Sequence, residues 1–104
     1  MIARFWHGRT TTSDAAIYRK YVTDTGIRDL INTPGNQGAQ IWQQEEGNIT
    51  HIWVVSWWKD YESIEAFAGK DIAVARYYAE DKKYLLELEP QVMNSESYDF
   101  KPSI

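Results

Sequence analysis

Two histidines, an arginine set among apolar residues and a pair of adjacent tyrosines are the side chains best equipped for chemistry in this sequence. His7 and His51 are its only imidazoles. An imidazole changes charge near neutral pH, so two that met across neighbouring strands would form a proton shuttle. The plainer reading comes first, that each is a partly exposed or hydrogen-bonded strand residue, and two histidines without a set of acidic neighbours make a poor metal site. Arg4 stands in the apolar run Ile2-Ala-Arg-Phe-Trp6, where a charge needs a partner. That partner is either a phenolate or carboxylate on a ligand, or an acidic residue of this chain or of a second copy. Tyr77 and Tyr78 offer phenols to a substrate oxygen, or else pack inside with their hydroxyls reaching water. Trp6, Trp53, Trp57 and Trp58 supply flat apolar walls for a planar guest. Strand alternation puts Trp53 and Trp57 on one face and Trp58 on the other, so only some of them share a pocket.

Other chemistry is missing from the pattern. The 104 residues contain no cysteine, which excludes a disulfide framework, zinc–thiolate and iron–sulfur ligation and a thiol nucleophile. No Ser-His-Asp order or glycine-rich phosphate loop is present. Glu45-Glu46 and Glu87-x-Glu89 read as exposed charge, not as an acid–base dyad. Net charge is −4, and the densest basic cluster, Lys82-Lys83, is flanked by Glu80 and Asp81. That argues against a surface that tracks nucleic-acid phosphates. No apolar stretch approaches membrane-spanning length and the first residues lack the apolar core of a signal peptide, so the cytoplasm is the expected compartment.

Positioning these residues requires a small set of elements. Ile2 to Arg9 reads as a strand apolar on both sides, with Ile2 and Trp6 on one and Ala3 and Phe5 on the other. Thr10 to Asp14 is a helix start, and a helix from about Asp14 to Thr25 is expected to bend or break at Gly26 before a last turn to Asn32. Gly38 to Glu45 and Ile49 to Trp58 form a hairpin around Glu46-Gly47-Asn48. A second helix begins near Lys59-Asp60 and closes at Gly69. A third helical piece is expected from Asp71 to Tyr78, with a further turn over Asp81 to Leu86. Gln91 to Phe100 is the last strand.

Strand, helix, strand, strand, helix, strand in that order gives an α+β, ferredoxin-like βαββαβ domain over residues 1–104, a four-stranded antiparallel sheet with helices on one face. A chain of this length buries only roughly 60–65% of its unfolded surface. Five Trp, seven Tyr and three Phe leave the strands apolar on two sides while helices cover one. A second copy laid against the bare face would bury the excess, which predicts a homodimer.

Several stretches carry a family resemblance: the Ala3-Arg4-x-Trp6-x-Gly8 start, Thr25-Gly26-Ile27, and Thr33-Pro34-Gly35-Asn36. With them go Ser56-x-Trp58, Ser63-Ile64-x-Ala66-Phe67-Ala68-Gly69-x-Asp71-Ile72, and Leu85 to Pro90. Together they resemble the antibiotic biosynthesis monooxygenase-like family of dimeric α+β barrels. The resemblance implies a dimer whose last strand reaches toward the partner, with a pocket between helices and sheet in each copy. It further implies a monooxygenase that needs no metal, flavin or other cofactor, in which a small aromatic or quinol-type substrate supplies the electron and the protein steadies the anion. On that reading Tyr77, Arg4 and His7 orient the substrate, and Trp6, Trp58, Phe67, Tyr78 and Asn94 bind it. Asn94 stands where similar sequences carry a histidine. The haem-degrading branch resembles a pattern of Asn on the first strand, Trp on the second helix and a later His. Here Ile2 to Arg9 has no Asn, Phe67 replaces the Trp and Tyr77 the His, so haem degradation is not expected. The thin supply of acid–base groups leaves a second reading open, a non-catalytic dimeric module that binds a hydrophobic small molecule.

Overall fold

The computed structural model describes residues 1–101. Strand β1 (Ile2–Thr11) leads through a short 3-10 turn into α1 (Ala15–Val22), a π-turn (Thr23–Ile27) and α2 (Arg28–Asn32). The hairpin β2 (Asn36–Glu46) and β3 (Ile49–Trp58) follows, then α3 (Tyr61–Ala68), the single turn α4 (Asp81–Tyr84) and β4 (Met93–Glu96). The strands form one antiparallel sheet in the order β2-β3-β1-β4, with the helices on one face, as a ferredoxin-like α+β chain should.

Side-chain alternation sorts the sheet. Ile2, Trp6, Ile52, Val54 and Trp58 face the helices and pack with Tyr18, Val22, Leu30, Ile64 and Leu85 into the core. Gly8 lies on this face too, and a Cβ there would meet Trp6 Cη2 at 2.6 Å and Leu85 Cδ2 at 2.7 Å. Only glycine lets the Trp6 indole lie flat across the strand. At the start of α3 the Asp60 carboxylate accepts the Ser63 N–H at 2.8 Å, capping the helix, and Gly69 ends it with φ 92°.

The opposite face has no helix on it. It carries Ala3, Phe5, His7 and Arg9 of β1, Trp53, Val55 and Trp57 of β3, and Trp42 of β2, by the register Phe5↔Val55, His7↔Trp53 and Trp42↔Trp53. Trp42 is 45% exposed and Met93 56%, and the Phe5 and Trp42 rings meet edge to face at 6.1 Å.

The interruption expected at Gly26 takes the form of a π-turn over Thr23–Ile27, and two other local expectations change. The Thr23 and Thr25 hydroxyls there bond back to the Arg19 and Tyr21 carbonyls at 2.9 and 2.7 Å. No helix forms over Asp71–Tyr78. Its carbonyls are used elsewhere: Ile72 O and Val74 O accept from Arg4, and Ala73 and Ala75 pair with Val92 and Pro90 as extended chain. The last strand is shorter than Gln91 to Phe100, because only Met93 to Glu96 lie in register with β1.

Candidate functional site

A cavity of about 50 Å³, open to solvent on one side, lies between the helices and the sheet. The sheet contributes Arg4, Trp6, Val54 and Ser56 to its wall; Tyr18, Val22 and Leu30 come from the helices opposite. Thr25 and Gly26 of the π-turn line it as well, so the irregular turn that replaces a plain helix shapes the site. Phe67, Arg76, Tyr78 and Asp81 complete it from the α3–α4 side.

Arg4 is buried at 3% exposure. Its guanidinium donates to Ile72 O, to Val74 O at 3.2 Å and to Asn94 Oδ1 at 3.3 Å. All three acceptors are neutral, and among the described residues no carboxylate pairs with it. Removal from water therefore goes unanswered and lowers its pKa from 12.5 to about 10. Arg76 is exposed and stacks over the Phe67 and Tyr78 rings at 4.7 and 5.0 Å, marking the solvent side of the cavity.

Two further wall residues share a buried hydrogen bond that the sequence reading did not single out. Tyr18 Oη donates to Asp81 Oδ1 at 2.8 Å, and Asp81 Oδ2 accepts the Tyr78 N–H at 2.5 Å. Burial first, then the Asp81 charge, pushes the Tyr18 phenol far up, so it stays a donor. Tyr78 is likewise pushed up by burial and by its bond to Asp29 Oδ2 at 2.7 Å. Asp81 was hidden in the charged run Glu80-Asp-Lys-Lys83. Its one signal is position: it stands four residues before buried Leu85, on the same helical face.

Of the residues named from the sequence, Arg4, Trp6, Phe67 and Tyr78 meet in the cavity wall. Asn94 stands behind Arg4, holding it at 3.3 Å while donating to Ile72 O at 2.9 Å. Trp58 is fully buried in the core, its indole N–H on Ser56 Oγ at 2.9 Å. Tyr77 lies beside Trp6, ring centroids 6.2 Å apart, and donates to Glu89 O at 2.5 Å. Burial raises its phenol, and the nearby Trp6 indole pulls the other way. Trp6 Nε1 is itself buried and faces that phenol outside normal hydrogen-bond geometry.

His7 is elsewhere, on the bare face of the sheet. The two histidines do meet: His7 Nε2 lies 2.9 Å from His51 Nδ1, His7 Nδ1 lies 2.5 Å from Glu89 Oε2, and His51 Nε2 is 3.7 Å from Glu46. The chain Glu89–His7–His51–Glu46 is separated from the cavity by the sheet itself. Among the described residues no three His, Asp or Glu side chains group as metal ligands, and no helix is long and apolar enough to cross a membrane.

The fold so built is that of the antibiotic biosynthesis monooxygenase-type α+β structures. A putative antibiotic biosynthesis monooxygenase from Nitrosomonas europaea superposes with TM-score 0.64 over 93% of this chain and 98% of its own, at 14% identity. A heme-degrader from Mycobacterium tuberculosis with two hemes bound in its active site gives 0.61 over 97% and 100%, at 17% identity. A counterpart of the first from Bacillus cereus gives 0.62 over 99% and 98%, at 12%. No family model matches the chain, and no curated protein matches it. Identities this low speak to fold alone.

The cavity residues do not fit a haem. No histidine lines the wall, and the Tyr18 and Tyr78 phenols are held to carboxylates and pushed toward the neutral form, the opposite of what an iron-ligating phenolate needs.

Proposed function

We propose that this chain is a cofactor-independent monooxygenase acting on a small, planar aromatic or quinol-type substrate held in the cavity, and that it works as a homodimer. The observation that carries the reading is Arg4: a buried cation in an aromatic wall, bonded only to neutral acceptors. A substrate oxygen that becomes negative during reaction is the partner this guanidinium lacks. Trp6 and Phe67 give the flat apolar surface for the ring. An electron-rich anion can pass an electron to oxygen by itself, so this chain's tasks are to bind, orient and stabilise the anion and to keep water out. The buried carboxylate of Asp81 in the same wall favours this reading over a non-catalytic binding module. The homodimer rests on the bare sheet face, where Phe5, Trp42, Trp53, Trp57 and Met93 lie without a helix over them. The absence of cysteine fits a reducing compartment such as the cytoplasm.

The test is oxygen uptake by the purified protein with anthrone and with substituted hydroquinones. Turnover that depends on protein and is lost in Arg4→Met supports the oxygenase. Saturable quenching of tryptophan fluorescence without oxygen uptake for any of these compounds refutes it.

A further inference from the structure

Arg4 and Asn94 stand directly opposite each other in the β1–β4 pair, so strand alternation puts both side chains on one face of the sheet. The Asn94 amide does two things there. Its Oδ1 accepts from Arg4 Nη1 at 3.3 Å, and its Nδ2 donates to Ile72 O at 2.9 Å. Asparagine gives the cation an acceptor and the carbonyl a donor while staying neutral; aspartate, of the same shape, would bring acceptors only, and a charge. Neutral oxygens take three of the five guanidinium N–H groups, and among the described residues Nε–H and one Nη2–H have no partner. Arg4 lines the cavity and Asn94 does not, so the amide works from behind. The wall carries two guanidiniums, Arg4 and Arg76, against one carboxylate, Asp81. Asp81 makes no ion pair with Arg4 and is bonded instead to Tyr18 Oη and the Tyr78 N–H, while Arg76 reaches Asp29 at 3.4 Å.

We propose that Asn94 determines the charge preference of the cavity: by tethering Arg4 through a neutral amide, it leaves the guanidinium charge to a ligand and selects aromatic anions over neutral aromatics of the same shape. The proposal rests on the reading of Arg4 as an anion partner, and not on turnover. Asn94 is a positioning residue, acting through Arg4. A carboxylate in its place would be a permanent counter-ion, and an arriving carboxylate or phenolate would meet a cation already paired and a like charge behind it.

Asn94→Asp tests this, because it changes charge and one donor but hardly changes shape. Ile72 O keeps its bond from Arg4 in that variant. Calorimetric titration with 2-naphthoate and 2-naphthamide gives the readout. Wild type should favour the acid, whereas Asn94→Asp should bind it roughly 10- to 100-fold more weakly and the amide within about 3-fold of wild type. Asn94→Leu drops both hydrogen bonds and adds no charge, so its acid-over-amide ratio should stay within about 3-fold of wild type. A cavity that was merely loosened would lose both ligands alike. That result, or an Asn94→Asp variant with the full wild-type preference, overturns the role of Asn94 and leaves Arg4 as the anion partner. A wild-type chain that does not distinguish acid from amide overturns both. Should Asn94→Asp fail to fold, Asn94→Leu carries the test: a retained preference supports the proposal. A lost one shows that the amide bonds, not their neutrality, set the selectivity, and overturns it.

Discussion

Replacing Arg4 by methionine separates what this residue does for the fold from what it does for a ligand. Lowering its pKa from 12.5 to about 10 means that the folded chain disfavours the charged form by roughly 3 kcal/mol. Methionine removes that penalty and keeps an unbranched, apolar stem. Against it stands the lost donor. Ile72 O keeps its bond from Asn94 Nδ2, so Val74 O is the carbonyl left without its side-chain partner, at a cost of about 1–3 kcal/mol. The two effects oppose each other, so urea unfolding of Arg4→Met should differ from wild type by less than about 2 kcal/mol. Binding behaves differently. A charged hydrogen bond contributes about 1.5–3 kcal/mol, so an anionic aromatic such as 2-naphthoate should bind roughly 10- to 100-fold more weakly to the variant. Its neutral isostere, 2-naphthamide, should change by less than about 3-fold, since it presents no charge to the guanidinium. Calorimetric titration of both compounds reads the difference directly. Equal losses for acid and amide, or no loss for either, would falsify the assignment of Arg4 as an anion partner.

Affinity for 2-naphthoate should stay flat to about pH 9 and fall above about pH 10 in the wild-type chain, because Arg4 loses its proton there and the anion loses its cation; a fluorescence titration series checks this, and Arg4→Met should remove the fall. Trp42→Arg places a charge on the bare sheet face at a residue already 45% exposed, so the monomer fold should survive while self-association is lost. Sedimentation at micromolar concentration should show a wild-type dimer and a variant monomer; a monomeric wild type refutes the homodimer. Gly8→Ala forces a methyl group to within 2.6 Å of Trp6 and 2.7 Å of Leu85, and should cost about 1–3 kcal/mol in chemical denaturation. A neutral result there would mean that the Trp6 indole shifts freely.

The sheet was legible because strand periodicity is a local property: Ile2 and Trp6 against Ala3 and Phe5, or Ile41 against Trp42, declare their faces within a few residues. The segment from Asp71 to Tyr78 was not legible for the converse reason. Its spacing suits a helix, but Arg4, almost seventy residues away, takes its carbonyls, and Pro90 and Val92 take its remaining pairing. The same long reach hid half of the site. Arg4 was conspicuous, being a charge in an apolar strand. Asp81 was camouflaged by charged neighbours that do face water, and only the packing of Tyr18 over it reveals that this one carboxylate points inward. His7 was drawn into the candidate site because an imidazole can move protons near neutral pH, yet odd and even positions of β1 face opposite ways, and His7 follows Ala3 and Phe5.

That division of β1 also explains how one strand serves two ends. Its helix-facing row, Ile2, Arg4, Trp6 and Gly8, passes from core to charge to indole to the glycine that makes room for the indole. Its other row, Ala3, Phe5, His7 and Arg9, passes from apolar contact to a charged rim, where Glu89 and Glu87 close on His7 and Arg9. The segment that supplies those two carboxylates also receives the Tyr77 hydroxyl at Glu89 O. Residues 87–89 therefore join the bare face to the Trp6 side of the cavity around the edge of the sheet. A partner packed on the bare face would press on this same segment, so loss of the dimer should weaken ligand binding as well as assembly. Trp42→Arg, which touches no cavity residue, tests that coupling. At protein concentrations where wild type is dimeric, its affinity for 2-naphthoate should fall if the segment transmits the contact. Unchanged affinity in a monomeric variant would show that each cavity is complete within one chain.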